Sequence, residues 1–174
     1  MPLQTKALNN KTDYAGIIIR GLPGSGKTTL GNQIITLLRS KNIPAFQINA
    51  DQIRSGLNSD LGFDMDDRLE NARRLGCLTK LVRTQGLLPV VDFVMPTQET
   101  YSEFILGVGD KNFYLCSINP PPDFQSRFQD TNKIFEPASW WKHVVHPRLI
   151  DLDPYSESNV LQIAQNILNQ HADL

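Results

Sequence analysis

Gly21-Leu22-Pro23-Gly24-Ser25-Gly26-Lys27-Thr28 fits the pattern G-x-x-x-x-G-K-[ST] at every position. Ile17-Ile18-Ile19 precedes it, and a helical pattern begins inside it, which is the context that this motif needs. The glycines let backbone N–H groups curl around phosphate oxygens with no Cβ in the way. The helix start adds unsatisfied donors and a positive dipole end. In such a loop Lys27 reaches the β- and γ-phosphates of ATP and the Thr28 hydroxyl holds Mg²⁺. The plainer alternative is a glycine turn that merely links strand to helix, and the complete pattern in its proper context weighs against it. The phosphate-binding stretch is read as Gly21, Leu22, Pro23, Gly24, Ser25, Gly26, Lys27, Thr28 and Thr29.

Working outward, the β-branched run at Ile17-Ile18-Ile19 reads as a strand buried on both faces. A helix is expected from Lys27 to about Ser40, with Leu30, Ile34, Leu37 and Leu38 on one face. Ala45 to Asn49 reads as a second strand. Asp66 to Gln85 reads as a long helix, with Asp64 as N-cap, acidic residues in the first turn and Gly86 as the stop. Leu69, Ala72, Leu75, Leu78, Leu81 and Val82 recur along it at helical spacing. Leu87 to Val94, Phe113 to Ile118 and Leu149 to Leu152 read as three more strands, and Val160 to Leu168 as a closing helix. This alternation predicts an α/β fold: a parallel sheet of about five strands, with helices on both faces and right-handed crossovers.

The whole chain is read as one domain, residues 1–174, with a loose polar arm at 1–14. Residues 119–141 resist assignment, with Pro120-Pro121-Pro122, Asp130-Thr131-Asn132, Pro137 and Trp140-Trp141. They are read as a loop holding at most a short helix at Phe124 to Phe128, and a loop of this length in a compact domain is often functional.

Composition bounds the rest. The chain has 174 residues, 40% of them hydrophobic and 20% charged, with a formal net charge of −1. That is a normal balance for a globular domain, and it gives no reason to expect a nucleic-acid backbone or an anionic membrane as partner. No apolar run approaches the roughly 18 residues that span a bilayer. No basic-then-apolar segment opens the chain, so a cytoplasmic protein is expected. Cys77 and Cys116 share no metal-ligand spacing and read as two reduced thiols partly inside the core. Oligomeric state is not set by the sequence; a homodimer is compatible with it.

A second cluster follows the second strand: Asp51, Arg54, Asp60, Phe63, Arg68 and Asn71. Asp51 falls at the carboxyl edge of the sheet, where open α/β folds bind ligands. A carboxylate there can accept a proton from an acceptor hydroxyl or order water on Mg²⁺. Arg68 and Asn71 stand three apart on one helix and share a face, which suits a sulfate or phosphate group. By spacing alone, a solvated, salt-bridged helix face is the favoured reading.

The segment from Ala50 to Phe63 (ADQIRSGLNSDLGF) resembles the stretch of adenylylsulfate kinases that reads G-D-N-x-R-x-G-L-N-x-D-L-G-F. Asp66 to Gly76 resembles that family's D-R-x-E-N-x-R-R-x-G, and Gly21 to Thr29 its G-L-S-G-S-G-K-S-T. The resemblance covers roughly residues 15–96. It implies a nucleotide-kinase-like P-loop fold that moves the γ-phosphoryl of ATP, with Mg²⁺, to the ribose 3′-hydroxyl of adenosine 5′-phosphosulfate. It implies Asp51 beside the accepting hydroxyl, Arg54, Arg68 and Asn71 on the phosphosulfate, and Phe63 stacked on the acceptor adenine. Lys27, Asp51 and Arg127 are then the catalytic set, Arg127 matching the arginine that opens the family's lid, which would correspond to residues 119–141.

The chain departs from the family pattern in places. Asn49 stands where the family usually has aspartate, so it keeps an oxygen but loses a charge. The family's S-F-I-S-P becomes Asp92-Phe93-Val94-Met95-Pro96, where Met95 offers no hydroxyl and no arginine follows. Asp92 at a strand end can order Mg²⁺, as a Walker B aspartate does, or can cap a nearby loop or helix. Lys133-Ile134-Phe135 only faintly matches the family's K-G-L-Y-like lid core, and Trp140, Trp141, His143 and His146 have no assigned role. Two rival readings therefore stand beside the family's reaction. One is a kinase of the same scaffold with another hydroxyl acceptor, such as a nucleotide, a sugar or a nucleic-acid end. The other is a nucleotide-binding regulatory module with little turnover.

Overall fold

The computed structural model describes residues 16–118, 144–145 and 149–152. Five strands form one sheet: β1 (Gly16–Gly21), β2 (Ala45–Asn49), β3 (Leu88–Phe93), β4 (Phe113–Ile118) and β5 (Leu149–Leu152). Their order is β2-β3-β1-β4-β5, and every pairing is parallel. Four helices connect them: α1 (Lys27–Ser40), α2 (Ala50–Ser55), α3 (Met65–Thr84) and α4 (Gln98–Val108). β1 sits at the centre with all six residues buried, as its apolar run requires.

Alternation along β1 divides the core. Ile17 and Ile19 point to one face, where Leu30, Ile34, Ile35 and Leu38 of α1 cover them. Ile18 points to the other, with Ala72, Leu75 and Val82 of α3 and Tyr101, Phe104 and Ile105 of α4. Phe104 also holds Phe93 and Phe113, at ring separations of 5.5 and 5.6 Å. α3 and α4 cross backbone to backbone at Gly76 and Gly107. A Cβ on Gly76 would stand 2.2 Å from the Phe104 carbonyl oxygen, and one on Gly107 2.2 Å from that of Arg73.

The expected strands all form, as do the first two helices. Asp64 caps α3 by accepting from the Asp67 N–H at 2.9 Å, and Gly86 follows the helix at φ 74°. Some side chains differ from expectation. Leu37 is only half-buried and Leu81 is exposed, while Ile35 takes a core place. Leu37 and Leu81 each precede a truly buried residue, Leu38 or Val82, by one position, which is about 100° around the helix and off the buried stripe. Cys77 is likewise exposed, and only Cys116 is in the core, where burial pushes its thiol up to about 12.

Two helices were not anticipated. α2 starts directly at the end of β2, with Asn49 as its cap. α4 starts at Thr97, whose hydroxyl accepts from the Thr100 N–H, and stops at Gly109 with φ 74°. Its pattern of Tyr101, Phe104, Ile105 and Val108 is a helical one. The arm at 1–14, the short helix at Phe124 to Phe128, the lid at 119–141 and the closing helix at Val160 to Leu168 lie outside the described residues. Among the described residues no helix is long and apolar enough to cross a membrane.

Candidate active site

β1 and β3 lie side by side at the sheet's centre, and the chain runs to opposite sides of β1 after them. That switch point opens a crevice at the carboxyl ends of the strands. The loop from β1 enters it. Gly24 and Gly26 take φ of 74° and 90°, a region open to glycine at no steric cost. Gly26 caps α1 without any side-chain hydrogen bond, so the first N–H groups of that helix face the loop. Ser25 Oγ is buried with no hydrogen-bond partner, and Lys27 Nζ donates to the Leu22 carbonyl at 2.8 Å. An orphaned hydroxyl, open helix donors and a buried ammonium in one loop suit a bound phosphate chain.

On the α1 face of the sheet the Thr28 hydroxyl donates to Asp92 Oδ2 at 2.8 Å. Asp92 is 2% exposed and lies in register with Ile19 of β1 and Asn49 of β2. It caps no helix. Asn49 Nδ2 donates to Asp92 Oδ2 at 2.7 Å and to Thr28 Oγ1 at 2.9 Å, and Gln47 Nε2 donates to Asp92 Oδ1 at 3.1 Å. The lost charge at position 49 now has a physical reason. Asn49 Oδ1 accepts from the Gln52 N–H at 2.9 Å to cap α2, so its amide must accept at one end and donate at the other. An aspartate there would set a second carboxylate against Asp92. Thr28 and Asp92 together are hard oxygen donors of the kind Mg²⁺ takes alongside phosphate oxygens and water. Among the described residues no group of three or more His, Cys, Asp or Glu could hold a metal.

The second cluster closes the other side of the crevice. One cavity is lined by Pro23, Gly24 and Lys27 of the loop together with Asp51, Arg54, Phe63, Arg68 and Asn71, floored by Ala50, Phe93 and Val94. Asp51 stands in the first turn of α2, and α3 supplies Arg68 and Asn71. Arg54 Nη1 donates to the Leu61 and Gly62 carbonyls, and Arg68 Nε to the Phe63 carbonyl at 2.8 Å. Both guanidinium groups lie over the Phe63 ring, at 4.6 and 5.8 Å from its centroid. Burial pulls the Arg54 guanidinium below its ordinary range, against the pull of Asp67 and Asp51. Arg68 is lowered by burial and, next, by the charge of Arg54. Two cations that repel each other in a half-buried cavity favour an anion between them.

Sequence and structure part in specific ways here. Asp60 does not line the cavity; it pairs with Arg74 at 2.7 and 2.8 Å. Glu70 pairs with Arg73 and Arg74, which hold its carboxyl down at about 2. The salt-bridged helix face is therefore real, but it belongs to Glu70, Arg73 and Arg74, one side of α3 away from Arg68 and Asn71. Met95 is fully buried in the core and Leu22 nearly so, contributing only its carbonyl. Thr29 is exposed and does not line the cavity. Arg127, Trp140, Trp141, His143 and His146 lie outside the described residues. Sequence reading missed Gln47 and Asn58. Gln47 shares a strand face with Ala45 and Asn49, and a polar side chain on such a face signals a partner. Asn58, 2% exposed, donates to Asn71 Oδ1 at 3.0 Å, which leaves the Asn71 NH₂ for the cavity.

The family model described as adenylylsulphate kinase matches residues 14–139. An adenylyl-sulfate kinase of Buchnera aphidicola subsp. Acyrthosiphon pisum is 36% identical over 131 residues, 74% of this chain and 63% of that protein. One from Bacillus pumilus is 43% identical over 86 residues, 49% of this chain and 44% of that protein. The chain thus aligns with under two thirds of the length of either relative. Among solved structures, the Mycobacterium tuberculosis APS kinase CysC in complex with AMPPNP and APS is 25% identical with a TM-score of 0.71, covering 90% of this chain and 98% of that one.

Proposed function

Since the chain belongs to the adenylylsulphate kinase family, we propose that it transfers the γ-phosphoryl group of ATP to the ribose 3′-hydroxyl of adenosine 5′-phosphosulfate. The observation that carries this reading is the single cavity in which the phosphate loop meets Asp51, Arg54, Phe63, Arg68 and Asn71. Phosphoryl transfer asks the protein mainly to position two substrates and to neutralise charge. The Gly21 to Thr29 loop cradles the donor phosphates, with Lys27 turning from the Leu22 carbonyl to the transferring group. Arg54, Arg68 and the Asn71 NH₂ hold the acceptor's anionic end, and the Phe63 ring offers its adenine a stacking surface. Asp51 orients the accepting hydroxyl and takes its proton. Thr28 and Asp92 would hold Mg²⁺, which supplies charge neutralisation on the phosphates when bound. With ATP as donor, the proposed place of action is the cytoplasm.

An acceptor screen with γ-labelled ATP and Mg²⁺ tests the reading. Label should pass to adenosine 5′-phosphosulfate and not to gluconate, other sugars or nucleic-acid ends. Transfer to one of those instead, with adenosine 5′-phosphosulfate left unlabelled, makes this a kinase of the same scaffold with another acceptor. ATP binding without transfer to any acceptor makes it a regulatory module.

A further inference from the structure

We propose that Gln47 is a positioning residue for Asp92 and that Gly31 exists to let it reach. This rests on the assignment of Thr28 and Asp92 to the metal. Every donor that the structure gives Asp92 is neutral: the Thr28 hydroxyl and the amides of Asn49 and Gln47. Asn49 and Thr28 both engage Oδ2, so among the described residues only Gln47 engages Oδ1. A carboxylate held through one oxygen can swing about its Cβ–Cγ bond; held through both, its plane is fixed. The same Gln47 Nε2 also lies 3.4 Å from the Thr28 carbonyl, so one amide ties the β3 carboxylate to the first turn of α1.

The path of that side chain is narrow. It lies across α1 at Gly31, where a Cβ would stand 2.5 Å from Gln47 Nε2 and 3.2 Å from Cδ. Gly31 is buried inside a helix and has no positive φ, so its backbone does not require glycine. A glycine in a helix interior with an ordinary φ lowers helix propensity relative to alanine. The clearance for Gln47 accounts for its presence. The clashing atoms are the far end of a flexible side chain, so alanine at 31 displaces Gln47 and leaves the helix intact.

The test uses the full chain with Gly31→Ala, Gln47→Leu, both together, and Asp92→Asn. Three readouts are taken: melting temperature, ADP binding heat with and without Mg²⁺, and turnover. Gly31→Ala should melt at or above the wild-type temperature and bind ADP normally without Mg²⁺. It should lose about 10-fold of the gain in ADP affinity that Mg²⁺ confers, with a similar loss in turnover, as partners of metal-holding groups commonly cost 10–100-fold. Gln47→Leu should show the same metal-specific loss, and the double variant should be no worse than Gln47→Leu alone. Additive losses in the double variant, or a normal Mg²⁺ gain in both singles, overturn the proposal. If Asp92→Asn alone abolishes that gain, the metal assignment survives without the positioning role. If all four variants keep the wild-type gain, the metal assignment falls as well.

Discussion

Arg68→Ala separates acceptor recognition from donor binding, and its size follows from the contacts. In the fold, Arg68 Nε donates to the Phe63 carbonyl at 2.8 Å, and its guanidinium lies 5.8 Å over the Phe63 ring. Losing that half-exposed bond costs about 0.5–1.5 kcal/mol. Relief of the repulsion from Arg54 offsets part of this. Loss of these contacts should lower the melting temperature by about 2–4 °C, the usual shift for ~1 kcal/mol at this chain size. The acceptor loses more. A charge-assisted bond is worth about 1.5–3 kcal/mol, so affinity for adenosine 5′-phosphosulfate should drop about 10–150-fold. Titration calorimetry with adenosine 5′-phosphosulfate in the presence of ADP and Mg²⁺ measures it, and ADP alone provides the donor control. Arg74→Ala is the second control. It removes an arginine of the same helix that pairs with Asp60 and Glu70 outside the cavity, so acceptor affinity should not change. The reasoning is refuted if Arg68→Ala weakens ADP and acceptor alike, or if Arg74→Ala weakens the acceptor as much as Arg68→Ala does.

Three further outcomes are expected. Lys27→Ala should fold normally by circular dichroism and lose ~10²-fold or more in turnover, since it removes a charge from the transferring group. Asp51→Asn should keep ATP affinity in calorimetry while turnover falls ~10²–10⁴-fold, and an unchanged turnover would move the base elsewhere. Glu70 is held down at about 2 by Arg73 and Arg74, below the ordinary carboxylate value of 4.5. A depressed folded-state value means that its contribution is present above the unfolded value and is lost as pH falls through 4.5 toward 2. Glu70→Gln should therefore be less stable than wild type in neutral urea melts, with the difference shrinking in acid.

Much of this was legible in the residues because the signals were local. The phosphate loop announces itself by glycines and Lys27-Thr28 between a β-branched run and a helix. Asp64 and Gly86 bracket α3 by capping chemistry that reaches only three or four residues along the chain. The cavity residues were legible through the motif, and they converge because α2, which starts directly at the end of β2, and α3 deliver them to the same sheet edge. What was not legible depends on register between distant strands. Nothing near Asp92 in sequence tells that Asn49 and Gln47 stand beside it; the parallel pairing of β2 with β3 does. Spacing alone also could not sort the charges of α3. Arg68 and Arg74 are six residues apart, yet one faces the cavity and the other Asp60, and the loop from Asn58 to Phe63 decides which. α4 carried a readable apolar spacing, but Gly107 inside it and the Met95-Pro96 step before it mask a helix that packs on Gly76.

The central claim is a phosphoryl transfer to one hydroxyl, and phosphorus NMR of the product tests it most directly. The chain is incubated with ATP, Mg²⁺ and adenosine 5′-phosphosulfate. The account predicts one ADP formed per acceptor consumed, with a new phosphomonoester resonance coupled to the ribose H3′ proton and the 5′-phosphosulfate intact. It is contradicted if ATP binds and the acceptor is recovered unchanged, or if the new phosphate appears on any other oxygen.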